Sequence, residues 1–158
     1  MEDSRAQEIL KKRISSLSKG SVGHDAEVEA TRGVTLLKLR KGFLLCDFLV
    51  HSGVSDESGK WHQGAMTTLM DVIGSWTAFS FTSQPQLTVQ LSVSCYSKPD
   101  LQEEVEVEGK VMGEEGRMTS VRVEVRNKRH GRMVALGIMW MAPSHPNINI
   151  HKPLSSKL

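Results

Sequence analysis

Positions 65 to 81 are apolar or small around nearly the whole helical circumference, interrupted by a single carboxylate, Asp71. That pattern predicts a helix wrapped by protein and too short to span a bilayer, with Asp71 largely buried inside the wrapping. From Leu87 the period changes to two: Leu87, Val89, Leu91, Val93 and Cys95 alternate with Thr88, Gln90, Ser92 and Ser94. The same alternation sets Val105, Val107 and Val111 against Glu104, Glu106, Glu108 and Lys110, and Val121, Val123 and Val125 against Arg122, Glu124 and Arg126. Each run is the pattern of a strand with one covered face. Short turns at 113–117 and 127–131 leave no room for crossovers, so these strands are expected as antiparallel neighbours. Met133 to Met141 is more continuously apolar, which predicts a central strand or one buried on both faces.

Upstream of the helix, residues 34–39 and 43–50 are β-type runs joined through Lys41 and Gly42, a predicted hairpin. A Gly/Ser/Asp-rich loop over 52–60 leads from it into the helix, and 18–25 is a second polar loop. Residues 4–17 place Ile9, Leu10, Ile14 and Leu17 among Arg, Lys and Glu at helical spacing, an amphipathic helix suited to a lid or surface cover. The predicted class is therefore α+β: an amino-terminal helix and loop over 1–25, a single core domain over 26–142 built from the hairpin, the long helix and four antiparallel strands, and a tail over 143–158.

Composition narrows the function. A chain of 158 residues is long enough for one real core. A net charge of only +2 with few aromatics gives no reason to expect a nucleic-acid partner. Cys46 and Cys95 lie inside apolar strand patterns and read as buried thiols of a reducing compartment. The six histidines are never closely spaced with Cys or acid partners, so no metal is expected. With neither a leader pattern nor a membrane span, the expectation is a soluble, non-secreted protein. Its last residues, Ser156, Lys157 and Leu158, form the Ser-Lys-Leu peroxisomal address, which implies an import receptor as partner and the peroxisome as destination.

The chemistry centres on Asp71. A carboxylate shielded from water is costly unless paired, hydrogen-bonded or protonated, so it is either a structural acid held by Thr67, Thr68 or Ser75 or a functional one. His62, Gln63 and Gly64 open the same helix. Free N–H groups at such a tip, with the positive end of the helix dipole behind them, suit a developing oxyanion, and Asp71 suits a base that positions or deprotonates water. Gly64 and Asp71 are separated by about 10 Å of helix axis, too far to act together on one carbonyl. A twofold axis that sets two copies of the helix antiparallel removes the difficulty, since Asp71 of each then approaches the tip of the other.

The motif His62-Gln63-Gly64-Ala65, followed by Asp71 on the helix, resembles the His-Gly-Gly-Ala and helix-Asp pattern of hotdog acyl-CoA thioesterases of the phenylacetate-pathway and thioesterase-superfamily-member-2 branch. The resemblance covers roughly residues 30 to 142. It implies a hotdog fold, a curved antiparallel sheet around one central helix, assembled as a homodimer or as a tetramer of two dimers. It implies hydrolysis of a fatty or aromatic acyl-CoA with no cofactor beyond the coenzyme A of the substrate. Asp71 takes the place of base or nucleophile, Gln63 and Gly64 of backbone oxyanion donors, and His62 of an orienting residue. Thr88 falls where the family has a Ser that holds the water or the acid. Asp56 falls where relatives often have Asn, and is either a second carboxylate acting on Asp71 or a solvated loop residue. For the coenzyme A moiety the resemblance implies a groove at Gln90, Tyr96, Ser97, Lys98, Gly116, Arg117 and Met118; the basic cluster Arg126, Lys128, Arg129 and Arg132 is a weaker candidate. Gln63 stands where the family usually has Gly, adding a side chain beside the reaction centre. An enoyl-thioester hydratase and a non-catalytic acyl-CoA binder are the alternatives on the same fold.

Overall fold

The structure, a computed structural model, describes residues 2–144; the tail that carries Ser156, Lys157 and Leu158 lies outside the described residues. Two helices, α1 (Glu2–Ser18) and α2 (Asp25–Thr31), precede the hairpin β1 (Thr35–Arg40) and β2 (Phe43–Leu49). A short 3-10 turn (Ser52–Val54) then leads to the long helix α3 (Gln63–Thr82) and to strands β3 (Gln86–Cys95), β4 (Glu104–Glu115), β5 (Met118–Asn127) and β6 (Met133–Pro143). The six strands form one antiparallel sheet in the order β1-β2-β4-β5-β6-β3. This sheet around one central helix is the hotdog arrangement expected from the sequence.

Strand β3 corrects one expectation. It does not lie beside β4, the next strand in sequence, but pairs with β6 from Gln86↔Pro143 to Cys95↔Ala135. The segment 96–103 carries the chain away from the far edge to β4, fastened on the way by Trp61 N–H donating to the Pro99 carbonyl (2.8 Å) and by a bridge between Lys60 and Asp100. Alternation told that 87–95 is a strand, but its partner depends on a connection of irregular backbone that has no periodic signal. The outer side of β3 is left as a free sheet edge.

The core forms where the alternating faces meet α3. Val121, Val123 and Val125 of β5, Val105 and Val107 of β4, and Met139 and Met141 of β6 are fully buried against Met66, Leu69, Met70 and Ile73 of α3. Full burial of such side chains is worth about 1.5–3 kcal/mol each. The helix approaches the sheet closely because glycines face it: a Cβ at Gly109 of β4 would overlap the Thr77 hydroxyl, and one at Gly74 of α3 would overlap Met139. Cys46 and Cys95 are free thiols. Burial, reinforced by the charge of Asp47, pushes the Cys46 thiol up to about 12.

On the side away from the sheet, α1 covers α3 with the stripe Ala6, Leu10, Ile14 and Leu17, all buried, while Ile9 is off the stripe and exposed. The helix α2 was not anticipated from sequence, because seven residues are too few to show a period. Coverage by α1 and α2 is incomplete. Thr68, Asp71, Ser75 and Phe79, one helical stripe, remain only half-buried. Asp71 is thus less enclosed than the all-round apolar pattern predicts. No helix among the described residues is long and apolar enough to cross a membrane.

Candidate active site

The amino-terminal tip of α3 is built by His62, whose extended backbone stops the helix from continuing backwards and whose Nδ1 accepts a hydrogen bond from the Gly64 N–H at 3.0 Å. The His62 carbonyl takes the first intrahelical bond, from the Met66 N–H, and its own N–H is tied to the Val54 carbonyl. Of the two N–H groups expected as oxyanion donors, that of Gly64 is therefore occupied by His62, while that of Gln63 has no partner among the described residues. The tip is exposed at His62, Gln63 and Gly64.

Asp71 sits two turns further along. Its Oδ1 accepts a hydrogen bond from the Thr88 hydroxyl of β3 at 2.6 Å, a contact between helix and sheet edge. The helical neighbours Thr67 and Thr68 do not hold it: their hydroxyls turn back to the Gln63 and Gly64 carbonyls, each at 2.9 Å. A short bond from a hydroxyl to a carboxylate fixes the carboxylate's orientation. Asp71 also lies on the wall of a cavity of about 510 Å³, together with Thr68, Val72, Ser75, Trp76 and Phe79 of α3. The remaining walls come from Ile9, Leu10 and Arg13 of α1, Glu27 of α2, and Pro85, Gln86 and Leu87 at the start of β3. Sequence reasoning assigned none of these residues to a site and gave Ile9 and Leu10 only as part of a lid or surface cover.

Within one chain Asp56 makes no contact with Asp71. It organises the loop before α3: its carboxylate accepts from the Ser58 hydroxyl at 2.6 Å and from the Ser58 and Lys60 N–H groups, with the Lys98 ammonium 3.6 Å away. The Ser58 hydroxyl first, then the Lys60 N–H, hold it down to about 2.

The groove residues divide into two groups. Tyr96, Ser97 and Lys98 follow the end of β3, where the Tyr96 N–H donates to the Val134 carbonyl at the start of β6, and they lie by the α3 tip through the Lys98–Asp56 pair. Gly116, Arg117 and Met118 turn from β4 into β5 at the other end, where Thr119 of β5 and Thr88 of β3 both pair with Met141. From Val134 to Met141 a strand rises about 23 Å, so in one chain the two groups stand at opposite ends of the strands. Gln90 is exposed on β3 between them. The basic cluster is partly spent on local pairs: Arg126 binds Glu124 and the Gly131 carbonyl, and Lys128 binds Asp47. The single chain thus carries two half-sites, the α3 tip with 96–98 and Asp71–Thr88 nearer to 116–118.

Residues 58–134 match the family model described as the thioesterase superfamily. No curated protein sequence matches the chain. Among solved structures, zebra fish thioesterase superfamily member 2 superposes with a TM-score of 0.76 at 20% identity, over 84% of this chain and 95% of that one. A hypothetical thioesterase from Streptococcus pneumoniae TIGR4, solved with coenzyme A, gives 0.67 at 21% identity, over 70% and 88%. The PaaI protein of the E. coli phenylacetic acid degradation operon gives 0.66 at 13% identity, over 72% and 80%.

Proposed function

From the premise that residues 58–134 match the thioesterase superfamily and that the chain has the hotdog fold of these relatives, we propose that this protein is an acyl-CoA thioesterase, releasing a carboxylic acid and free coenzyme A. The observation that carries this reading is Asp71: a carboxylate oriented by Thr88 on the wall of a cavity otherwise lined largely by apolar side chains. In such a place a carboxylate is a base held ready beside an apolar acyl group.

The reaction needs both half-sites. Asp71 takes a proton from water as its oxygen bonds to the thioester carbon. The negative charge that develops on the carbonyl oxygen is met by the Gln63 N–H of a second copy, with the α3 dipole behind it. The C–S bond then breaks and the departing thiolate takes up a proton. His62, holding the Gly64 N–H, keeps the tip in shape and yields that second donor if its ring swings aside. The side chain of Gln63, where relatives usually have Gly, narrows the approach to the tip. A twofold axis along the free edge of β3 brings each tip group to the other chain's Asp71 and its 116–118 turn, so the functional unit is a homodimer or a pair of dimers. That assembly also unites Tyr96, Ser97 and Lys98 of one copy with Gly116, Arg117 and Met118 of the other around coenzyme A.

The test is release of thiol from a panel of acyl-CoA esters by the purified full chain. Hydrolysis abolished in Asp71→Ala supports the proposal; tight binding without turnover makes the protein a carrier, and addition of water to an enoyl thioester makes it a hydratase. We further propose peroxisomal import through Ser156, Lys157 and Leu158, tested by removing the three residues; a truncated protein that still enters peroxisomes refutes the address.

A further inference from the structure

Preorganised donors hold the oxyanion of a thioester, and loss of a single one typically costs about 10²–10³ in rate. As folded, the tip of α3 offers one free backbone donor, the Gln63 N–H, because the Gly64 N–H is taken by His62 Nδ1 at 3.0 Å. The His62 ring also lies against Gly64: the place a Cβ would occupy there is 3.0 Å from ring carbon Cε1 and 3.1 Å from Nδ1. Releasing the Gly64 N–H therefore gives up a hydrogen bond and a packed contact, and with them the cap that starts the helix. A donor that is already free at the tip carries no such cost.

Gln63 has one in its side chain. It is the first residue of α3, and the Cα–Cβ bonds of a helix tilt toward the amino terminus, so the side chain leans over the end to which the Gln63 N–H points. Its carbonyl is fixed by the Thr67 hydroxyl at 2.9 Å, whereas its carboxamide is exposed and has no hydrogen-bond partner among the described residues. A carboxamide has two N–H donors and no charge, and with nothing else to bind it turns its nitrogen freely toward an anion. A glycine at this place brings no such group.

We propose that the Gln63 carboxamide is a catalytic group: its Nε2–H joins the Gln63 backbone N–H in holding the thioester carbonyl oxygen as charge develops on it. Both donors sit on one residue and reach the thioester together across the twofold axis, and His62 keeps the Gly64 N–H throughout. The inference rests on the thioesterase reading for the reaction and goes beyond it by giving a role to the residue at which this chain departs from the His-Gly-Gly-Ala pattern. The test compares the purified full chain with Gln63→Met, Gln63→Glu and Gln63→Gly on a thioester that the wild type turns over. Gln63→Met, similar in length but without a donor, is expected to lower kcat about tenfold or more with KM little changed, because the bond is made mainly in the transition state. Gln63→Glu lowers kcat further, since its carboxylate repels the oxyanion, and Gln63→Gly does not restore the rate. Equal kcat for the wild type, Gln63→Met and Gln63→Glu, or a Gln63→Gly variant faster than the wild type, means that the side chain only narrows the approach and overturns the proposal. A loss confined to KM overturns it as well. Calorimetric titration with a trifluoromethyl ketone analogue of acetyl-CoA, whose hydrated carbonyl carries the tetrahedral oxygen, reads the donors without hydrolysis. Binding to Gln63→Met is expected to be about tenfold weaker than to the wild type, and equal binding overturns the donor. Weaker binding to Gln63→Met in a protein that turns over no thioester refutes the reaction and keeps the donor, whereas turnover that is undiminished in Gln63→Met does the reverse.

Discussion

Thr88 and Asp71 are seventeen positions apart in sequence and 2.6 Å apart in space. Their contact sets the expectation for both. Asp71→Asn keeps an oxygen for the Thr88 hydroxyl but removes the base, and hydrolysis should fall about a hundredfold or more with the thermal midpoint little changed, measured by thiol release and melting in parallel. Thr88→Val removes only the group that orients the acid. A loss of about tenfold is expected, equal in kcat and kcat/KM, because the orientation matters in the transition state rather than in binding; a change confined to KM would assign Thr88 to the substrate instead. Asp56 has a different consequence. Its carboxyl is held at about 2 in the folded chain against an ordinary 3.8. A depressed folded value means stability that is present above the ordinary value and lost as pH falls through the folded one. The melting temperature of Asp56→Asn should thus lie below that of the wild type near neutral pH, and the difference should close as pH is lowered from about 5 to about 2. The types and spacing of Asp71, His62 and Gln63 were legible in sequence; that Thr88 holds the acid came there from family resemblance alone, and the loop bonds of Asp56 left no periodic signal.

At the scale of elements, the decisive contact is the close seating of α3 on the sheet. Gly109 of β4 points its missing side chain at Thr77, whose hydroxyl is bonded back to the Ile73 carbonyl at 2.7 Å and whose β-branched stem has little freedom in a helix. Gly109→Ala should therefore destabilise the fold by about 1–3 kcal/mol through overpacking, read from chemical denaturation, despite the usual gain from replacing glycine within a strand. Restoration of much of that loss by Thr77→Ala in the same chain would locate the strain at this contact. The existence of α3 and of β3 to β6 was legible because long runs repeat a period, but β4 extends to Glu115 and β5 begins at Met118, inside the turn expected at 113–117. The short α2 was not, nor was the incomplete cover that α1 and α2 give α3, since a period shows which face is apolar and not what arrives to cover it.

For the whole molecule, the edge strand β3 is the surface that matters. Its outer side is unpaired, and Val89 on it is 59% exposed with Leu87 at 45%. A bare edge with apolar residues invites a second strand, and a charge placed there opposes the pairing. Val89→Lys should convert an assembled protein to monomers in light scattering and abolish hydrolysis while the circular dichroism is retained. A monomeric variant that remains fully active would show that a single chain contains the whole site. The separation of about 10 Å of helix axis between the α3 tip and Asp71 makes the opposite expectation.

The sequence by itself determined what is local: the two periodicities, the one central helix, the acid two turns from its start, and from these the expectation of a second copy. These follow from the fixed rise and repeat of the backbone, which act over a few residues and leave a pattern in the chain. Only the tertiary structure decided that β3 lies beside β6, that Thr88 reaches Asp71, and that Asp71 faces a cavity under α1. Those contacts join residues far apart in sequence, and they are selected by how whole faces close on one another, a property no stretch of the chain carries alone.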